Sequence, residues 1–224
     1  MRTQALTYIA RVLAQRALGL LLYILGASWA MSFRATVYFA LYLASAIASS
    51  AVMFRINPTT LAERGKVDTD SPKWDKVLLG IYWLLSFFVI YLVAGVESAQ
   101  APPVGIAFWI GIILQLLSTA LVLWSMMVNT YLESTARIQA DRAQTVVKSG
   151  PYRIVRHPTY SSILLWCASV SMVFGTRMVM AVSAVIVLTI TIRTYLEDEM
   201  LKEHLPGYLE YSREVLYRLL PFVW

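Results

Sequence analysis

The chain has 224 residues, of which 58% are hydrophobic and 14% charged, and its formal net charge is +6. Soluble domains have roughly 45–50% apolar and about 25% charged residues, so this composition excludes an ordinary soluble domain. The apolar residues form long uncharged runs without the alternation of barrel strands, which favours membrane-spanning helices.

Six apolar runs, taken in chain order, predict six membrane segments. We expect helices near residues 17–33, 35–54, 77–96, 104–131, 159–174 and 178–195. The fourth run covers roughly 43 Å as a helix, more than a simple crossing needs, so it should tilt or project beyond the bilayer. The last two runs are short and predict a tight hairpin around Gly175. The expected fold class is an all-α, polytopic transmembrane helical bundle.

The basic residues predict the orientation of this bundle. With six crossings, 17 of the 19 basic residues lie on one side, and only Arg34 and Arg177 lie on the other. By the positive-inside rule the basic side is the cytoplasm, so we expect both termini there and the chain in the cell (inner) membrane. This bias reflects anionic lipid, and nothing in the chain resembles a nucleic-acid motif.

The segment 55–76 is expected to be a cytoplasmic loop. Asn57-Pro58 marks a turn, Thr59 or Thr60 can cap a short helix, and Gly65 ends it. We divide the chain into N-terminal transmembrane helices (1–123), which include this loop, and a C-terminal catalytic region (124–224). The lone cysteine, Cys167, lies in the fifth apolar run and is interpreted as a packing residue.

One polar cluster precedes the fifth helix and reads Gly150-Pro151-Tyr152-Arg153-Ile154-Val155-Arg156-His157-Pro158-Thr159-Tyr160. Pro158 suits a first helical turn, which places Arg156 and His157 beside a helix N-terminus. Free N–H groups and a partial positive charge make such a terminus a site for an anion, such as a carboxylate. A basic stop at the membrane face explains the same residues equally well.

A second cluster ends the sixth run, where Arg193 and Glu197 are four residues apart on one helix face. Ionisable groups at that depth are usually paired and functional. An ordinary intrahelical ion pair is the alternative. The aromatic tail that follows, with Tyr208 and Tyr211, could cover a site at the membrane face.

Together these motifs resemble the isoprenylcysteine carboxyl methyltransferase family. The resemblance covers about 124–224 and rests on the order and spacing of the two clusters, Leu201, Tyr208, Tyr211 and Pro221. Phospholipid N-methyltransferases share the same C-terminal pattern. Two positions depart from the family: Asp198 stands for the second glutamate of a Glu-Glu pair, and Ser161 replaces the glycine often found after Tyr160.

The resemblance implies an S-adenosylmethionine-dependent enzyme that works at the cytoplasmic membrane face on a lipophilic substrate. It implies cofactor contacts from Gly150, Tyr152, Arg156, His157, Pro158, Tyr160 and Glu197, with Arg156 or His157 meeting the cofactor carboxylate. Arg193, Tyr208 and Tyr211 would contact the substrate, and Arg193 and Glu197 would be the catalytic pair.

The chemistry of the acceptor decides whether a base is needed. A carboxylate, the favoured acceptor, needs none, whereas a protonated amine would need Glu197 or His157. His157 and His204 are not at metal-ligand spacing, so no metal is predicted. The alternatives are a phospholipid-type N-methyltransferase, a sterol-reductase-like NADPH enzyme and a non-enzymatic carrier. The identity of the acceptor and the oligomeric state stay open.

Overall fold

The computed structural model describes residues 2–65 and 71–224, and within that part of the chain the regular elements are helices, with no strand. Its helices are α1 (Arg2–Gly26), α2 (Phe33–Ile56), α3 (Pro58–Arg64), α4 (Lys73–Leu84), α5 (Ile90–Val96), α6 (Ile106–Val128), α7 (Pro158–Phe174), α8 (Arg177–His204) and α9 (Tyr208–Glu214). A π-helical segment, Leu85–Val89, joins α4 to α5, and short 3₁₀ turns lie at Ser98–Gln100, Ala140–Arg142 and Gly150–Arg153.

The predicted membrane bundle is confirmed. Five helices are long and apolar enough to cross a membrane by length and composition: α1, α2, the continuous helix Lys73–Val96, α6 and α8. The shorter apolar helix α7 forms the predicted hairpin with α8. The hairpin turns at Gly175, whose φ is +67°, a backbone conformation that glycine adopts without strain.

The start of α1 was predicted wrongly. The helix begins at Arg2 rather than near residue 17, and it ends at Gly26 rather than near residue 33. The prediction treated Arg11 and Arg16 as a membrane boundary, but a helix accommodates arginine wherever the side chain finds a polar environment. Arg11 donates a hydrogen bond to the carbonyl of Gly65, and Arg16 lines an internal cavity.

The end of α6 also differs from the prediction. The helix ends at Val128, three residues before the expected end near residue 131. Asn129 ends it, because its side-chain oxygen accepts a hydrogen bond from the amide of Tyr131 and its side-chain nitrogen donates to the hydroxyl of Tyr152, both at 2.9 Å. By contrast α8 continues to His204, nine residues past the expected end near 195.

The short helix α3 ends at Gly65 as predicted, but its cap is a different residue. The side chain of Asn57, not of Thr59 or Thr60, accepts a hydrogen bond from the backbone of Thr60. The remainder of the expected loop includes residues 66–70, which lie outside the described residues.

Small residues let the helices pack closely. A Cβ atom on Gly26 would lie 2.4 Å from the carbonyl oxygen of Leu92, and one on Gly95 would lie 2.2 Å from that of Tyr23. These contacts fix α1 against α5 backbone to backbone, as small residues do in membrane bundles. Between α6 and α7, the hydroxyl of Ser169 donates a 2.7 Å hydrogen bond to the carbonyl of Gly111.

Polar side chains tie the connections at one end of the bundle. Arg34 is buried and donates to the carbonyls of Val173 and Pro102. Glu97 accepts a 2.9 Å hydrogen bond from the amide of Met178 at the start of α8. The opposite end, here called the loop end, carries residues 129–157 and 205–224. The candidate site opens there.

Candidate active site

A cavity of about 390 Å³ extends from the loop end into the bundle. Its wall at the loop end includes Tyr131, Tyr152, His157 and Tyr208. Its inner wall is built by the membrane helices and combines aliphatic and aromatic residues with hydroxyls: Tyr42, Ser45, Ser49, Met53, Tyr82, Ser86, Phe87, Ser118, Val122 and Trp166. Small-molecule sites of roughly 300–1,000 Å³ are typical, so the cavity has the size of a binding site.

Arg193 lies in this wall, and its partner is not the one that helix spacing predicted. Its Nε donates a 2.8 Å hydrogen bond to Asp75 of α4, and an Nη donates to the carbonyl of Ser134 at 2.8 Å. The guanidinium carbon also lies 5.3 Å from the ring centroid of Tyr160. Arg193 therefore joins α8 to α4 and to the loop after α6, rather than forming an intrahelical ion pair with Glu197.

Glu197, one helical turn after Arg193, lines the cavity beside Tyr160. The hydroxyl of Tyr160 donates a 2.5 Å hydrogen bond to Oε2 of Glu197. Its second carboxylate oxygen makes no hydrogen bond with the residues 2–65 and 71–224. That oxygen is free to accept a hydrogen bond from a hydroxyl or ammonium group in the cavity.

Asp198 stands behind the wall and organises the loop end. It is fully buried and accepts hydrogen bonds from Arg156 (2.7 and 2.9 Å) and Arg218 (2.8 Å). Lys202 forms an ion pair with it at 2.9 Å, and the hydroxyl of Tyr208 donates to it at 3.0 Å. The position that departs from the family pattern thus holds a buried carboxylate at the centre of a charged network.

Arg156 faces this network rather than open space. Besides Asp198, it donates to the carbonyls of Val215 and Leu216 at 2.6 and 2.9 Å, so most of its N–H groups are used. Burial lowers the pKa of Arg156, but the hydrogen bonds that Arg156 donates to the Asp198 carboxylate outweigh this effect, and the net pKa is raised. Arg156 stays charged and connects the segment before α7 to the C-terminal tail.

His157 and three tyrosines complete the loop end of the cavity. The Nε2 of His157 lies 3.3 Å from Asp198 and 3.2 Å from the hydroxyl of Tyr208, and its ring stacks on that of Tyr160. Burial raises the pKa of Tyr152, Tyr208 and Tyr211 above the usual phenol value. Their hydroxyls therefore remain neutral, and that of Tyr211 donates to the carbonyl of Tyr152 at 2.7 Å.

Two of the predicted cofactor contacts do not line the cavity. Gly150 has a φ of +57° and packs against Trp124 and Val128, where an added Cβ would meet atoms at 3.0 to 3.2 Å. Pro158 occupies the first turn of α7, as its ring geometry favours. The other predicted residues, Tyr152, Arg156, His157, Tyr160, Arg193, Glu197, Tyr208 and Tyr211, all lie in the cavity wall.

Several residues of the site were not predicted. Asp75 was not predicted, because nothing local in the sequence pairs it with a residue in α8. Arg64 also lines the cavity: its Nε donates to the hydroxyl of Tyr8, while its buried Nη1 has no hydrogen-bond partner among the described residues. Within 2–65 and 71–224, no group of three or more His, Cys, Asp or Glu side chains could hold a metal ion.

Part of the chain matches a known protein family. Residues 106–206 match the model of the phospholipid methyltransferase family. The match covers somewhat less than half of the chain and runs from the start of α6 to the end of α8. It includes Arg193, Glu197 and the cluster before α7, so this part of the chain is similar to an integral membrane methyltransferase family. No curated protein matches the chain.

Proposed function

We propose that this chain is an integral membrane, S-adenosylmethionine-dependent methyltransferase that acts on a lipophilic acceptor. The acceptor group we favour is a carboxylate, as in protein-S-isoprenylcysteine O-methyltransferases. The observation that carries the proposal is the cavity, because it joins charged and aromatic residues at the loop end to an apolar, hydroxyl-lined interior. A polar donor and a lipophilic acceptor can each find a matching wall there.

The residues present fit the methyl donor. S-adenosylmethionine, when bound, supplies an electrophilic methyl group on a sulfonium centre. Glu197 has an unused carboxylate oxygen for a ribose hydroxyl or the ammonium group. Tyrosine rings in the wall suit a cationic sulfur, because aromatic faces attract cations.

The carboxylate of the donor needs a cationic or N–H partner. The resemblance assigned it to Arg156 or His157, but the hydrogen bonds of Arg156 go mainly to Asp198 and to backbone carbonyls. The Nη1 of Arg64, which has no hydrogen-bond partner among the described residues, is a buried donor on the cavity wall. We propose that Arg64, together with His157, meets this carboxylate.

The remaining residues align the reactants and exclude water, which is most of what methyl transfer from a sulfonium requires. Arg193, held by Asp75, presents a fixed positive charge to the acceptor. The loop after α6 and the C-terminal tail cover the polar end. A carboxylate acceptor loses no proton, whereas an amine would pass one to Glu197 or His157.

A phospholipid amine is the second candidate acceptor, favoured by the family match over residues 106–206. One experiment separates the two. Membranes containing the protein are incubated with methyl-labelled donor, and the labelled lipid fraction is treated with base. A carboxyl methyl ester releases its label as methanol, whereas an N-methyl group keeps it. Absence of label above that of membranes without the protein would contradict methyl transfer altogether.

A further inference from the structure

Arg16 places a positive charge in the membrane part of the bundle. It lies near the middle of α1, ten residues and about 15 Å of helix before Gly26. Its guanidinium carbon is 3.7 Å from the ring centroid of Tyr42, in the middle of α2. Ionisable groups at such depth are costly and are retained mainly where they pair or serve a function.

Among the described residues, no acidic side chain forms an ion pair with Arg16. Arg16 makes no hydrogen bond or ion pair with a residue in the described ranges, and its guanidinium group lies over the ring face of Tyr42. The other arginines deep in the site differ, because Arg156 is held by Asp198 and Arg193 by Asp75. The N–H groups of Arg16 are therefore available to the cavity that it lines.

A second unsatisfied polar group lines the same cavity. Gln115 of α6 is buried, and its Oε1 has no hydrogen-bond partner among the described residues. Its Nε2 donates only a long 3.4 Å hydrogen bond to the hydroxyl of Thr119. A buried polar atom without a partner is destabilising, so such atoms commonly mark the position of a ligand or water.

We infer that Arg16 binds the carboxylate of a lipophilic acid, and that the weakly bonded Nε2 of Gln115 donates a second hydrogen bond to it. A guanidinium presents two parallel N–H groups that match both oxygens of a carboxylate. Its single positive charge neutralises the negative charge of the carboxylate. The neighbouring wall, with Met53, Phe87 and Trp166, suits a hydrocarbon chain. This inference names a residue that binds the carboxylate acceptor proposed above, and it rests on that proposal.

The test compares two ligands that differ only in their head group. The purified full chain in a neutral detergent is titrated with tetradecanoate and with tetradecanol at about pH 8, where the acid is ionised. We expect the acid to bind at least about tenfold more tightly than the alcohol. The Arg16→Gln variant should bind both ligands equally. The control Arg11→Gln, on an exposed arginine of the same helix, should keep the preference.

Equal binding of acid and alcohol by the unaltered protein would overturn the inference, as would a preference that survives Arg16→Gln. If Arg16→Gln does not fold, the ratio in the unaltered protein decides alone, and Gln115→Met should reduce it. Binding of S-adenosylhomocysteine is measured in the same samples. A preference for the acid without binding of S-adenosylhomocysteine would overturn the proposed methyl transfer and leave an acid-binding site at Arg16. Binding of S-adenosylhomocysteine without a preference for the acid would overturn the Arg16 site alone.

Discussion

Arg193 of α8 donates a 2.8 Å hydrogen bond to Asp75 of α4, 118 residues earlier in the chain, and both side chains are buried. The other oxygen of Asp75 accepts a hydrogen bond from the amide of Ala136 at 2.9 Å. One carboxylate thus joins two membrane helices to the loop that closes the cavity. Removing it would leave the charge of Arg193 buried without compensation.

We therefore predict that Asp75→Asn destabilises the protein by about 3–5 kcal/mol, the usual cost of breaking a buried ion pair by removing one partner. Thermal unfolding of the purified protein in detergent measures this. The control Asp141→Asn removes an exposed carboxylate that pairs with Arg137 and should leave the melting temperature unchanged. Equal melting temperatures for both variants would show that the pair to Arg193 contributes little.

The charged network around Asp198 predicts the behaviour of the C-terminal tail. Asp198→Asn would weaken the contacts of Arg156 and Arg218 at once, and Arg218 belongs to the tail. We expect residues after His204 to become cleavable under limited proteolysis while the helical bundle stays intact. The variant Glu210→Gln, at an exposed position of α9, should be cleaved no faster than the unaltered protein. Unchanged protection of Asp198→Asn would contradict the role given to this carboxylate.

Gly150 has a structural role that an alanine would disturb. Its φ of +57° disfavours a side chain, and a Cβ there would contact Trp124 and Val128. We predict that Gly150→Ala lowers the free energy of unfolding by about 1–2 kcal/mol. Gly80→Ala is the matched control, since a Cβ at Gly80 meets nothing within 4 Å. Chemical unfolding of both variants measures the difference, and equal stabilities would refute the prediction.

The membrane helices could be predicted from the sequence, because a helix that crosses a bilayer needs an apolar run of a defined length. The hairpin at Gly175 and the helix end at Gly65 follow from local chemistry in the same way. The start of α1 could not be predicted, because Arg16 is acceptable within a helix only if a cavity receives it. That cavity is formed largely by segments outside α1, including α2, α4, α6, α7 and α8.

The candidate site was predictable only where the motifs are local. Spacing placed Arg193 and Glu197 on one helix face, but it could not identify Asp75 as the partner of Arg193. Likewise the shortened side chain of Asp198 gave no indication that Arg156, Lys202 and Arg218 converge on it. Pairings between distant segments depend on helix packing, which has no local signal.

Tyr160 is predicted to position Glu197 for ligand binding. Its hydroxyl donates to one oxygen of Glu197 and leaves the other free. We expect Tyr160→Phe to weaken S-adenosylhomocysteine binding about fivefold. Its effect should not add to that of Glu197→Ala, because each change removes the hydrogen bond between the two side chains. Tyr195→Phe, at a half-exposed position outside the cavity, is the control. Additive losses in the double variant would indicate that Tyr160 acts independently of Glu197.

Isothermal titration of the purified protein with S-adenosylhomocysteine tests the central claim most directly. The account predicts saturable binding to one site, an affinity about tenfold lower in Glu197→Gln, and no change in Glu199→Gln, whose carboxylate lies outside the cavity. Absence of saturable binding to the folded protein, or equal affinities in the two variants, would contradict a methyl-donor site at Glu197.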